Sequence, residues 1–168
     1  MSLSMYDASA PRFAHMLRNL DAILARARDH AATKKIDPAV LLGARLFPDM
    51  LPMIKQVQIA TDHAKGCVAR LAGVEVPKFE DTEQSFDELR ARIARILAFV
   101  ESFAAAQIDG SEERDVSLRA GGQDMSFKGQ TYLRGYAMPN FYFHLVTAYN
   151  ILRHNGVEIG KRDYIGTP

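Results

Sequence analysis

The chain has no tryptophan, a single cysteine and no excess of charge of either sign. One thiol, Cys67, excludes an intrachain disulfide framework and fits a reducing cytoplasm. With 21 basic against 20 acidic side chains, the formal net charge is +1. That balance gives neither nucleic acid nor an anionic membrane an electrostatic hold. No stretch approaches the ~18 uninterrupted apolar residues of a membrane-spanning helix. The opening Met1-Ser2-Leu3-Ser4-Met5-Tyr6-Asp7 lacks the basic region and apolar run of a secretory signal. Phosphate loop, dinucleotide fingerprint, His-Glu-x-x-His and Cys-x-x-Cys elements are all missing, and no serine or cysteine triad has local support.

What is present is hydrophobic residues at 48% of a 168-residue chain, which suits one domain, residues 1–168, around one core. Phe13, Leu17, Leu20, Leu24, Ala27 and Ala31 recur at steps of three and four and predict a first helix, with Pro11 in its first turn. Asp37-Pro38 starts a short helix to about Gly43. After the bend at Arg45 to Pro52, a second long helix is expected from about Asp49 to Leu71. Its stripe is Met53, Val57, Ala60, Ala64, Cys67 and Leu71, and Gly73 stops it. Ser85-Phe86-Asp87-Glu88 forms a capping box for a third long helix, with Phe86, Leu89, Ile93, Ile96, Val100 and Phe103 inward, ending near 107–110.

The period then changes. Val116, Leu118 and Ala120 alternate, as do Met125 and Phe127, across Gly121-Gly122, which signals a two-residue hairpin. Pro139 opens the last long helix, which runs to about Asn155 with Gly156 as its stop and a polar tail, Gly160 to Tyr164, beyond. Phe141, Leu145, Ala148 and Leu152 line its inner face. Four amphipathic helices with moderate connections predict an all-α, four-helix bundle. Extra apolar residues such as Ile54 and Leu97 are available to cover a two-fold face.

His15 and His30 on the first helix and His154 in the last turn of the fourth read as solvated or capping histidines. His63 and His144 differ, because each borders the inward stripe of its helix. Two histidines projecting inward from different helices are how bundles build metal sites. The other reading is a pair of separate, hydrogen-bonded core histidines. Asn140 shares the face of His144 one turn earlier, and its amide oxygen is a weak candidate third ligand. Cys67, one turn after His63, is either a zinc-binding thiolate or a small core residue. The run Phe141-Tyr142-Phe143 is most simply packing.

The stretches Gly43-Ala44-Arg45-Leu46-Phe47-Pro48-Asp49-Met50-Leu51-Pro52 and Thr61-Asp62-His63-Ala64-Lys65-Gly66 resemble an uncharacterised branch of the DinB/YfiT-like superfamily. So do Pro139-Asn140-Phe141-Tyr142-Phe143-His144 and the segment from Arg153 to Asp163. The resemblance implies an up-down-down-up bundle with a small hairpin before the last helix, often dimeric. Better-studied members of the superfamily hold a divalent metal with three histidines, one from the second helix and two from a His-x-x-x-His on the last. They include bacillithiol- and mycothiol-dependent transferases and isomerases. By position, His63 and His144 match two ligands and Asn140 replaces the third. An amide oxygen binds a borderline-soft ion more weakly than an imidazole does.

Two functions follow. One is a non-catalytic, homodimeric small-molecule-binding or interaction protein with a degenerate metal-site pocket, holding no metal at all. The other is a metal-dependent enzyme of the thiol-dependent transferase, isomerase or hydrolase type, with zinc, nickel or manganese at His63, Asn140 and His144. A small-molecule thiol would be its partner, and Cys67, Phe141 and Tyr149 its pocket walls.

Overall fold

The apolar stripe of the first segment winds into α1 (Ala10–Lys34), where Phe13, Leu17, Leu20, Leu24, Ala27 and Ala31 are all fully buried. In the computed structural model, which describes residues 3–167, α2 (Pro38–Gly43) follows, capped by Asp37 Oδ1 accepting from the Ala39 N–H at 2.9 Å. The second long helix, α3 (Met53–Ala72), begins at Met53 rather than near Asp49. Pro48 and Pro52 hold the preceding chain in a bend, and Pro52, in an extended conformation, is the N-cap. Gly73, at φ 72°, supplies the left-handed turn that ends α3.

Ser85 caps α4 (Phe86–Glu101), accepting from the Glu88 N–H at 3.2 Å. The Glu88 carboxylate reaches back one residue further than a capping box requires, to the N–H of Gln84. The helix stops at Glu101, short of the expected 107–110, and a separate single turn, α5 (Ala105–Ile108), follows. Ser102 donates its hydroxyl to the Phe99 carbonyl at 2.7 Å, a local bond that competes with continued helix.

Strands β1 (Asp115–Ala120) and β2 (Gln123–Lys128) form the antiparallel hairpin, with Ala120 opposite Gln123. Gly121 and Gly122 both have positive φ, 57° and 79°, as a type I′ turn requires. The next helix starts ten residues before Pro139. A turn, α6 (Gly129–Tyr132), runs through a π-helical turn at Leu133–Ala137 into α7 (Met138–His154). Pro139 has no N–H to bond back to Gly135, and the widened turn lies where that bond is lost. The polar tail is itself ordered: α8 (Lys161–Ile165) docks on α1, its carbonyl at Ile165 meeting His15 Nε2 at 2.6 Å and Asn19 Nδ2 at 2.9 Å.

The long helices α1, α3, α4 and α7 form an up-down-down-up bundle around one hydrophobic core, with α3 packed on α7 and α1 on α4. The segment 74–85 that crosses from α3 to α4 is pinned by a buried guanidinium. Arg92, 1% exposed, meets Asp62, Asp81 and Glu83 at 3.0–3.2 Å and donates to Thr61 Oγ1 at 2.8 Å. Removing one partner of a buried ion cluster leaves the rest uncompensated. Arg92→Ala is therefore expected to cost about 3–5 kcal/mol in urea unfolding. Arg18→Ala, which breaks an exposed pair with Glu101, costs under about 1 kcal/mol. Equal losses in the two variants would show that the cluster does not anchor the crossing.

Candidate functional site

Small residues on α3 let α7 approach closely: Ala60, Ala64 and Cys67 are fully buried along one stripe. On the flank of that contact the structure brings His63 and His144 together, with ring centroids 5.9 Å apart and planes 14° from parallel. Both rings are partly exposed, so the pair reaches solvent. Tyr136 closes one side, 5.8 Å from the His63 ring. The hairpin buttresses that wall: Phe127 of β2 packs at 5.5 Å from Tyr136 and 6.0 Å from Tyr132, and the two tyrosines stack at 5.9 Å.

A buried amide sets the chemistry of His144. Gln56, 2% exposed, donates its Nε2 hydrogen to the Leu51 carbonyl at 2.9 Å and turns its Oε1 to His144 Nδ1 at 2.7 Å. An amide oxygen only accepts, so Nδ1 carries the imidazole proton and Nε2 of the neutral ring keeps a lone pair. Burial favours that neutral form by lowering the His144 pKa. His63 is pushed down from 6.5 to about 4, first by burial and then by the neighbouring His144. Asp62, adjacent in sequence, pulls the other way, but its carboxylate is held by Arg92 at 3.0 Å and Lys65 at 2.8 Å. At neutral pH the site therefore presents two uncharged imidazoles.

The other residues expected at the site lie on the same two helices, α3 and α7. Asn140 lies one turn before His144 on α7, and its Nδ2 donates to the Tyr136 carbonyl at 2.7 Å. Cys67 is fully buried, and burial raises its thiol pKa, so it stands as a protonated core residue. Phe141 packs edge-on against Phe13 of α1 at 4.9 Å, and Tyr149 against Tyr164 of α8 at 5.7 Å. Both of those rings serve the α1 side of the bundle. The donors fit a metal only in part. A centroid separation of 5.9 Å is within reach of one ion with metal–nitrogen bonds of about 2.0–2.1 Å. Among the described residues, however, no group of three His, Cys, Asp or Glu side chains gathers.

Gln56, Tyr136 and Phe127 did not stand out in the sequence. Gln56 did carry a signal, a polar residue seven positions before His63 on an otherwise apolar face. Tyr136 lies eight before His144, but Pro139 looked like a helix start and hid that spacing.

A helical bundle with a small hairpin before its last long helix is a DinB-like fold. The family model described as Domain of unknown function (DUF1993) matches residues 5–165, and the chain belongs to that family. Among solved structures it is similar to a DinB family member protein from Shewanella denitrificans, determined as a crystal structure at 1.83 Å resolution. The two share 43% sequence identity at a TM-score of 0.88, over 97% of this chain and 92% of that one. No match is found among curated proteins.

The lowered His63 pKa has a definite sign. Its folded value, about 4, lies below the ordinary 6.5, so between those values the unfolded chain binds the extra proton. Stability falls as pH drops through that window and levels off below it. An NMR titration of the histidine Cε1–H resonances is expected to place the His63 midpoint near 4, with the urea midpoint falling over the same range. A His63 midpoint at the ordinary value would contradict the burial argument.

Proposed function

We propose that this DinB-like protein binds a small molecule at the His63–His144 pair and does so without catalysing a reaction on it. The observation that carries this reading is the pairing itself. Two neutral imidazoles face each other at 5.9 Å, one with its Nε2 lone pair freed by Gln56, and no anionic side chain joins them. Two neutral nitrogens and one amide oxygen hold a divalent ion weakly. Asn140 donates its amide nitrogen to the Tyr136 carbonyl, and its neutral amide oxygen is the weakest donor of the three.

A metal-dependent enzyme, of the thiol-dependent transferase, isomerase or hydrolase type, is the second reading. What favours it is the Gln56–His144 bond, since metal-binding histidines characteristically give their other ring N–H to an oxygen acceptor. His63, His144 and Asn140 would hold zinc, nickel or manganese, and the metal would supply Lewis-acid activation of a thiol or water. This chain's own part would be to orient the His144 ring through Gln56 and to wall the site with Tyr136.

The two readings separate on metal uptake. Protein purified without chelator or histidine tag is analysed for metal and then titrated with zinc, nickel and manganese. The proposal expects no stoichiometric uptake. One ion per chain, lost in His144→Ala with helical content intact, would sink it in favour of the enzyme.

A homodimer in the cytoplasm completes the proposal. Ile54 and Leu97 are partly buried against the core. Val40, Leu46, Phe47 and Leu51, from one stretch around the end of α2, are exposed at 40–63%. Isologous dimers are the commonest way to cover such surface. Light scattering is expected to give twice the 18.7 kDa chain mass, and Phe47→Asp to lower it toward one chain. A wild-type monomer contradicts the assembly.

A further inference from the structure

Among the described residues four arginines are buried or half-buried: Arg28, Arg70, Arg90 and Arg92. Three of them pair with carboxylates, Arg28 with Asp29 and Asp87, Arg90 with Asp21, and Arg92 with Asp62, Asp81 and Glu83. Arg70 is the exception among the described residues. Its Nη1 donates to the Tyr132 hydroxyl at 3.0 Å, and its guanidinium lies 5.8 Å from the Tyr132 ring centroid. A partly buried guanidinium ordinarily keeps an anionic partner, because desolvating an unpaired charge is costly.

The position of Arg70 ties it to the histidine site. It follows His63 by two helical turns, but its side chain folds back along α3. A Cβ on Gly66, three residues after His63, would lie 2.4 Å from Arg70 Nη1. Glycine at 66 leaves the space that the guanidinium fills. The charge is felt at His63, where Arg70 is one of the groups that lower the pKa. The link also runs through side chains: Arg70 to Tyr132, Tyr132 stacked on Tyr136 at 5.9 Å, and Tyr136 beside His63 at 5.8 Å. The nearby acids that could in principle balance the charge are neutral. Burial raises the pKa of both Tyr132 and Cys67, so phenol and thiol stay protonated.

We infer that Arg70 is the anion-recognition residue of the histidine site, and that the small molecule bound there carries a carboxylate. This rests on His63 and His144 being the ligand-facing pair. Tyr132 occupies Nη1, which leaves the Nε and Nη2 hydrogens as a planar two-pronged edge that matches a carboxylate. A single uncompensated positive charge matches one carboxylate. A phosphate dianion would call for a second cation, and Lys65, the other sheltered cation on this face of the bundle core, is already held by Asp62 at 2.8 Å. Tyr132 is a positioning residue, holding the guanidinium over Gly66.

The 168-residue chain is titrated with butyrate, inorganic phosphate and uncharged butyramide, following the Arg70 Nε–H and His63 Cε1–H resonances by NMR. Butyrate is expected to shift both signals saturably, and butyramide neither. Arg70→Gln weakens butyrate binding at least about ten-fold, the scale of one charge-assisted hydrogen bond. Gly66→Ala weakens it in the same direction without changing any charge, because the added methyl displaces Arg70, and circular dichroism checks that both variants are folded. Unchanged butyrate binding in both variants, or phosphate held more tightly than butyrate, overturns the inference. His144→Gln separates the two proposals. Butyrate still shifting Arg70 but no longer His63 leaves the carboxylate site standing and removes the histidine pair from it.

Discussion

The structure depends on one constraint: α3 is buried on nearly every side, and the polar side chains it carries inward draw most of their partners from neighbouring segments. Thr61 is answered by Arg92 of α4 at 2.8 Å, Gln58 Nε2 by Glu83 of the crossing segment at 2.8 Å, and Gln56 by His144 of α7 at 2.7 Å. Lys65 pairs with Asp62 at 2.8 Å and lies over the Phe79 ring at 4.8 Å. Arg92, Glu83 and His144 come from three segments that surround α3, so satisfying them also sets the order of the bundle. An apolar helix of the same shape would pack, but it would not specify which neighbour lies on which face.

The same constraint generates the site. Gln56 is needed by Leu51 and His144 at once, which fixes the amide orientation and, through it, the proton on His144. Partial burial then keeps both imidazoles neutral, while Arg70 remains, among the described residues, the one sheltered cation without a carboxylate. The hairpin has a role in this arrangement. A two-stranded ribbon is marginal by itself, and here Phe127 carries it onto Tyr132 and Tyr136, the rings through which Arg70 and His63 are connected. The π-helical turn carries Tyr136 itself, an interruption of the kind that recurs at functional sites.

Much of the fold could be read from the chain, because stripes, caps and the Gly-Gly turn are local signals. The six-residue stripe of α1, the Ser85 cap and the hairpin register all follow from residues within a few positions of one another. Boundaries failed where a proline or serine had two structural uses. Pro139 reads as a helix start but sits inside a helix that a π-turn carries past it. Gly160 to Tyr164 reads as polar tail because the surface that orders it, His15 and Asn19, lies far away in sequence. At the site, helical spacing was enough to bring His63 and His144 onto facing flanks. Gln56 and Arg70 escaped, since their roles depend on a partner in one case and the lack of one in the other. Neither condition is written in the spacing of a single helix.

The most direct test of this account is the tautomer of His144, measured at neutral pH by long-range proton–nitrogen NMR on uniformly labelled protein. Gln56 requires the hydrogen on Nδ1, with Nε2 showing the chemical shift of an unprotonated nitrogen. A hydrogen on Nε2, or a doubly protonated ring, would mean that Gln56 does not set the proton on His144 and that the Nε2 lone pair is not there.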